Sequence, residues 1–353
     1  MQTETLIIGG GLSGLYLASQ LAEQDHEFLL VEARNRLGGR ILSEQIGTAR
    51  FDLGPAWFWP GQPRIGALIE RFKLTQFDQY SEGELSFEDE RGIVRRGLGF
   101  ASLQGSFRLQ GGLAALSERM SSTLDANRIR LNSPIVSLTR TDKGIEARTQ
   151  TDEIILTRDC ILTLPPRIAA DLTFAPNLPE PTTHAMKAIP TWMAGQAKAV
   201  AVYDNPFWRQ NGLSGDAMSR LGPMVEIHDA SPQNEGVYAL FGFIGIPPKA
   251  RRDVDVLKQQ ILAQLGRLFG PKATEPMELL LKDWAFDPFT SSKDDLEPLL
   301  THPKYGLPDT MRGIWDGNLI FAGTEVAPQF GGYLEGALEA AENTLIFLQN
   351  EKF

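Results

Sequence analysis

Apolar residues come first as a short run, Thr5-Leu6-Ile7-Ile8, then recur at Leu15, Ala18, Leu21 and Ala22, then form a second run, Glu27-Phe28-Leu29-Leu30-Val31. A short continuous run bounded by turn residues predicts a buried strand, and recurrence every three or four residues predicts a helix with one packed face, here from Leu12 to Gln24. Strand, glycine turn, helix and strand in immediate succession make a βαβ unit, which builds a parallel sheet. Further on, Glu88-Asp89-Glu90-Arg91-Gly92 lies between Leu85-Ser86-Phe87 and Ile93-Val94 as a hairpin tip, its charge run read as a solvated turn. A helix is expected from Leu113 to Met120, with strands near Ile129-Arg130-Leu131, Ile135 to Leu138, Ile145 to Arg148 and Ile154-Ile155-Leu156. Another strand at Ile161 to Leu164 is ended by Pro165 and Pro166, which have no N–H to give a ladder. Beyond it the pattern gives strands at Ala199 to Tyr203 and Val237 to Ile244, a helix from Val254 to Leu268, a strand at Leu319 to Ala322 and a helix from Tyr333 to Leu348. The fold class is therefore α/β at the N-terminal end, returning to the same sheet near the C-terminus.

Length and composition narrow the class without naming a chemistry. A chain of 353 residues predicts two domains. Hydrophobic residues make up 42% and charged residues 22%, which is ordinary globular usage. A net charge of -10 with no basic cluster argues against a nucleic-acid partner, since neutralising phosphate needs a basic face. Met1-Gln2-Thr3-Glu4 shows no secretory pattern, no stretch approaches the ~18 apolar residues of a membrane span, and Gln349 to Phe353 carries no tail anchor. A cytoplasmic protein without a membrane anchor is the expectation. The single cysteine, Cys160, reads as a buried strand position. His26, His184, His228 and His302 are scattered without ligand spacing, so no metal site is expected.

Chemistry enters with Gly9, Gly11 and Gly14, a G-x-G-x-x-G between the first strand and the first helix. Such a turn lets backbone approach a pyrophosphate while the helix N-terminus stabilises its charge. Glu32 ends the next strand 18 residues after Gly14, where a carboxylate accepts hydrogen bonds from ribose hydroxyls. Together they predict a Rossmann-type dinucleotide-binding domain. Gly38-Gly39-Arg40 then separates a flavin from a nicotinamide: an NAD enzyme has no need of it, whereas a guanidinium here can bind the same pyrophosphate in bidentate fashion. The expected cofactor is FAD.

Beyond these residues, Asp52-Leu53-Gly54-Pro55-Ala56-Trp57, Gln110-Gly111-Gly112-Leu113, Lys198 to Trp208, Ala322-Gly323-Thr324-Glu325-Val326-Ala327 and Gly332-Tyr333-Leu334-Glu335-Gly336 follow in order. In this combination the chain resembles the flavin-containing amine oxidase family, as in the monoamine oxidases. The resemblance implies an FAD-binding domain from 1–78, 107–180 and 312–353, interleaved with a smaller α+β substrate domain from 79–106 and 181–311. It implies that Gly9, Gly11, Ser13, Gly14, Glu32, Ala33, Arg34, Gly39 and Arg40 hold the ADP moiety, with Val136 giving backbone contacts to adenine. Gly54, Pro55, Ala56 and Trp57 would border the isoalloxazine, Gly323, Thr324 and Glu325 would face the ribityl chain, and Leu334 would set its N–H near the flavin N1/O2 edge. Lys198, by spacing alone a solvated strand end or a functional group, takes by resemblance the role of holding a water at flavin N5 and assisting reaction with oxygen. Tyr333 would be one wall of the family's aromatic cage.

The chain departs from the family in two places. The positions of the family's cysteine and following aromatic are Lys293 and Asp294, so FAD is expected to be noncovalent and the cage to lack its second wall. Asp294 and Asp295 read either as an attractor for a cationic amine or as a solvated loop. Residues 79–106 are also far shorter than the family's equivalent, which implies a more open site; Trp57, Phe58, Trp59, Trp192, Phe207 and Trp284 are candidates for an apolar lining. The implied activity is oxidation of an amine C–N bond with oxygen as acceptor and hydrogen peroxide as product. Desaturation of an apolar molecule, as in related porphyrinogen and carotenoid flavoenzymes, and a noncatalytic flavin-binding module are the alternatives.

Overall fold

Both N-terminal apolar runs become central strands because every side chain on them except at the outer edge is enclosed. The computed structural model describes residues 1–297, 299 and 301–352. Strand Gln2–Ile8 runs parallel to Phe28–Val31 on one side and to Ile154–Leu162 on the other, with Leu6 beside both Leu29 and Cys160. The sheet continues outward through Gly144–Thr149, Ile135–Thr141 and Thr173–Ala175, and at its other edge through Ile129–Arg130. Strand Leu319–Phe321 joins it by pairing parallel to Cys160, Ile161 and Leu162. Helices Leu12–Glu23, Ala114–Ser121 and Leu334–Lys352 cover one face through Leu15, Leu116, Leu338 and Leu345, and Ala169, Met186 and Met311 lie against the other. Cys160 is fully buried.

The runs expected as two strands at 154–156 and 161–164 are one nine-residue strand. Polar Thr157-Arg158-Asp159 hid the connection, yet their groups are satisfied in place. The Thr157 hydroxyl donates to Glu4 O at 3.0 Å, and Asp159, fully buried, accepts from Arg158 Nε at 2.9 Å.

A second sheet of seven strands is drawn from Glu84–Glu88, Val94–Arg96, Leu213–Ser219, Met224–Asp229, Tyr238–Ile244, Ala197–Tyr203 and Glu278–Asp283. Alternation along Ala197–Tyr203 sorts its two faces. Ala197, Ala199, Ala201 and Tyr203 pack toward helix Val254–Phe269, while Val200 and Val202 pack toward Phe51, Leu53 and Trp57 of the first layer. By the same two-residue period Lys198 belongs to the second face, the one turned toward Phe51, Leu53 and Trp57. The hairpin at 84–96 forms as expected, but its charge run is not wholly solvated: Glu88 is fully buried, accepting from Arg267 Nε at 2.5 Å and from the Ser219 hydroxyl at 2.6 Å.

Candidate active site

The glycine turn is built by crowding. Gly9 sits at φ +113, which only glycine adopts readily, and a Cβ on Gly14 would lie 2.0 Å from the Gly9 carbonyl oxygen. Gly11 is different in kind. Its backbone is extended, at φ -74 and ψ -176, and a Cβ there would meet only Gly39 Cα at 3.9 Å. Gly11 is the N-cap of helix Leu12–Glu23, no side chain caps that helix, and Gly11, Leu12 and Ser13 all border open space. Glu32 is fixed beside them, accepting from Gly10 N at 2.7 Å and Arg34 N at 2.9 Å.

From this cradle one cavity of about 1410 Å³, its open mouth included, runs along the junction of the two sheets. Gly9, Gly11, Ser13, Glu32 and Arg34 line one end; Gly39, Arg40, Gly54, Pro55, Ala56 and Thr324 line the middle. Trp57, Lys198, Tyr333 and Leu334 complete it. Five sequence candidates are not on its wall. Gly14 packs beneath the turn, Ala33 follows Glu32 away from it, and Gly323 abuts the Leu164 carbonyl, 2.8 Å from where a Cβ would stand. Val136 sits where the ladder between Ile135–Thr141 and Gly144–Thr149 slips by a residue, its side chain half exposed. Glu325 is fully buried behind Arg40, accepting from its Nη1 at 2.6 Å, and its other oxygen has no hydrogen-bond partner. Its carboxylate raises the Arg40 pKa against the opposing pull of burial. Ser13 lines the cavity while its hydroxyl donates to Ala322 O at 2.5 Å.

Lys198 is buried, not a solvated strand end. Its ammonium donates to the Gly54 carbonyl and faces the rings of Phe243, Phe241 and Trp57 at 5.0, 5.2 and 5.9 Å. Burial lowers its pKa to about 8, with Asp52 acting in the opposite direction. Trp57 is itself held by an N–H bond to Gln79 Oε1 at 2.6 Å, and Trp284 by one to Leu53 O at 2.9 Å.

At the far end Tyr333 precedes helix Leu334–Lys352. Trp59 meets its ring edge-on at 6.4 Å, and His302 lies flat against it. Of the six candidate lining aromatics, Trp57, Trp59, Trp192 and Trp284 reach the cavity; Phe58 and Phe207 are core residues, packed on Phe107 and on Tyr203 and Trp208. Asp295 neither lines the cavity nor lies in a solvated loop: it is buried, paired with Arg167 at 2.5 Å and closing a capping box with Ser292. Thr163, Met193, Phe243, Phe289 and Thr290 also line the cavity and were missed. Only Phe243 carried a signal, being two residues from Phe241 on a strand already recognised, and hence on the same face.

The residues present fit a dinucleotide flavin: a gap at Gly11 that a Cβ would fill, an uncapped helix N-terminus, a ribose-type carboxylate at Glu32, and two guanidinium groups on the wall. Fold and site thus define a flavoenzyme with a Rossmann-like cofactor layer. Residues 84–344 match the model of the family described as flavin containing amine oxidoreductase, and residues 7–72 that of an NAD(P)-binding Rossmann-like domain. The chain belongs to the flavin containing amine oxidoreductase family and is a flavin-dependent oxidoreductase whose cofactor is FAD. No cysteine lines the cavity, so FAD is held without a cysteinyl bond. Among similar proteins are a probable flavin-containing monoamine oxidase A of Dictyostelium discoideum, 23% identical over 96% of this chain and 95% of its own, and an L-amino acid dehydrogenase of Synechocystis, 21% identical over 96% and 93%. The first alignment runs over 445 positions against a chain of 353 residues, so that relative carries internal segments absent here. A putrescine oxidase structure superposes with TM-score 0.84 at 20% identity over 100% of both chains, and a cyclohexylamine oxidase from Brevibacterium oxydans with 0.83 at 18% over 99% of both; these establish the fold. Among the described residues no helix is long and apolar enough to cross a membrane.

Proposed function

We propose that the protein oxidises a small monoamine to its imine, with oxygen as acceptor and hydrogen peroxide as product. FAD, when bound, supplies the two-electron chemistry. The observation that carries the reading is the continuity of one cavity from a nucleotide cradle, past a buried lysine, to an aromatic end. Trp57, Trp59, Trp192, Phe243 and Tyr333 exclude water and so favour the uncharged amine over its ammonium form. Lys198 provides a positive charge that stabilises negative charge developing on oxygen. Leu334, first residue of the C-terminal helix, lines the cavity, while Glu335 is committed elsewhere, accepting from Ile65 N at 3.0 Å and from Arg64. The helix N-terminus is thereby left for an anionic group.

Substrate class follows from charge. The only acidic side chain on the cavity wall among the described residues is Glu32, at the nucleotide end. A diamine would leave its second ammonium without a carboxylate in an aromatic pocket, whereas a monoamine with an apolar body buries no unpaired charge. The test is anaerobic mixing of purified protein with apolar monoamines, diamines and polyamines while flavin absorbance is followed. Bleaching by monoamines, reversed with peroxide formation on admitting air, supports the reading. Bleaching by diamines alone overturns the substrate class. A flavin that dithionite reduces but no amine bleaches overturns amine oxidation and turns attention to apolar C–C substrates.

A further inference from the structure

We propose that Asp287 is a positioning residue for the cofactor: reaching across from the second layer, it aims Arg34 at the ADP half of FAD. The inference rests on FAD occupying the cavity with its ADP half at Gly11 and Glu32.

Arg34 follows Glu32 in the first layer, yet its side-chain partners belong to the segment after strand Glu278–Asp283. Its Nη2 donates to Asp287 Oδ1 at 2.5 Å and to the Thr290 hydroxyl at 2.9 Å, and the guanidinium lies 5.3 Å over the Phe289 ring. Those contacts occupy both Nη2 hydrogens and fix the plane of the group. Nη1 and Nε make no hydrogen bond among the described residues, and Nη1 stands 3.5 Å from Glu32. Since Arg34, Glu32, Phe289 and Thr290 all line the nucleotide end of the cavity, the remaining donors of a planar, five-donor cation are presented where phosphate and ribose oxygens would lie.

Asp287 suits an anchor because it does not depend on Arg34 to stay in place. Lys282 Nζ holds its other oxygen at 2.9 Å and the Phe289 N–H holds Oδ1 at 3.2 Å. Arg34 and Lys282 together keep its carboxyl below the usual aspartate range although burial pushes it up. An arginine side chain free in solution loses rotamer entropy on gripping a ligand; one already clamped at a single nitrogen loses less, which slows ligand escape.

The experiment uses holoenzyme and reads FAD release: protein is diluted into flavin-free buffer well below its melting temperature, and the recovery of free-flavin fluorescence is timed. Asp287→Asn is expected to release FAD about tenfold faster, and Arg34→Gln at least as fast. If Asp287 acts through Arg34, the double variant releases FAD no faster than Arg34→Gln alone; a merely structural role would make the two effects multiply. Wild-type release from Asp287→Asn, or multiplicative effects in the double variant, overturns the proposal. An Arg34→Gln protein that keeps FAD as tightly as wild type overturns it too, by removing Arg34 from the cofactor. Should Asp287→Asn fail to fold, Thr290→Val, which removes the second Nη2 partner, is made alone and together with Arg34→Gln: release a few-fold faster in the single variant that adds nothing in the double supports the clamp, and unchanged release or multiplicative effects overturn it.

Discussion

His302 stacks on Tyr333 with ring centroids 4.9 Å apart and planes 14° from parallel. Trp192 and Tyr305 brace the imidazole edge-on at 5.0 and 5.5 Å, and Gly332 has no room for a side chain beneath it, its Cβ position lying 3.0 Å from His302 Nε2. His302 does not itself line the cavity; it backs Tyr333, which does. An aromatic pair of this kind contributes about 0.5–1.5 kcal/mol beyond its buried area. His302→Ala is expected to raise KM for an apolar monoamine roughly three- to tenfold with kcat little changed, because the ring supports Tyr333 on the cavity wall and touches no reacting atom. Steady-state kinetics check this; a fall in kcat at constant KM contradicts it.

Lys198 gives a pH signature. Its folded pKa of about 8 lies below the ordinary lysine value of 10.5, so between those values the unfolded chain binds the extra proton and folding stability rises with pH. Below that window the fold carries the whole cost of a buried ammonium, about 3 kcal/mol. Lys198→Met removes that cost. Its melting temperature relative to wild type should be most favourable near pH 7 and lose that advantage as pH climbs from about 8 to 10.5. A difference independent of pH would show that the lysine is not desolvated.

Two glycines of the same motif should fail differently when changed to alanine. Gly14→Ala drives a methyl to within 2.0 Å of a backbone oxygen and should cost about 4 kcal/mol or more, seen as insoluble or low-melting protein. Gly11→Ala has room and a permissive backbone, so the chain should fold normally by circular dichroism yet purify with little or no flavin, its methyl filling the cradle.

Cysteine chemistry should be silent. The Cys160 thiol is pushed far up by burial, with Asp159 adding to it, and thiols react as thiolates. Alkylating reagents should leave the native protein unmodified, and acid precipitation should put all of the flavin in the supernatant. Flavin retained in the pellet would reveal a covalent bond through another residue.

Legibility in the sequence followed the kind of signal each residue carried. Gly9, Gly11, Glu32 and Arg40 stand at fixed distances from strand ends, and chemistry at an element's end is readable from one chain. Lys198 was ambiguous because a lysine at a strand start is ordinary; only the two-sided burial of Ala197–Tyr203, set by neighbours distant in sequence, decides that it is enclosed. Glu88 and Asp295 looked solvated because a charge in a polar run gives no hint of the arginine that meets it, Arg267 in one case and Arg167 in the other. Phe289 and Thr290 left no trace, since a loop laid over a cavity has no periodicity to betray which side chains point in.

The bond from the Ser13 hydroxyl to the Ala322 carbonyl joins residues 309 apart in sequence, and it has a consequence for biosynthesis. The nucleotide cradle is translated first, but the layer it belongs to is closed by Leu319–Phe321 and by the helix that follows. Throughout most of translation Leu15, Leu17 and Leu21 have no Leu338 or Leu345 to pack against. The cofactor layer therefore closes only after residue 319 has been added, and a polypeptide cut short before it is expected to retain no FAD.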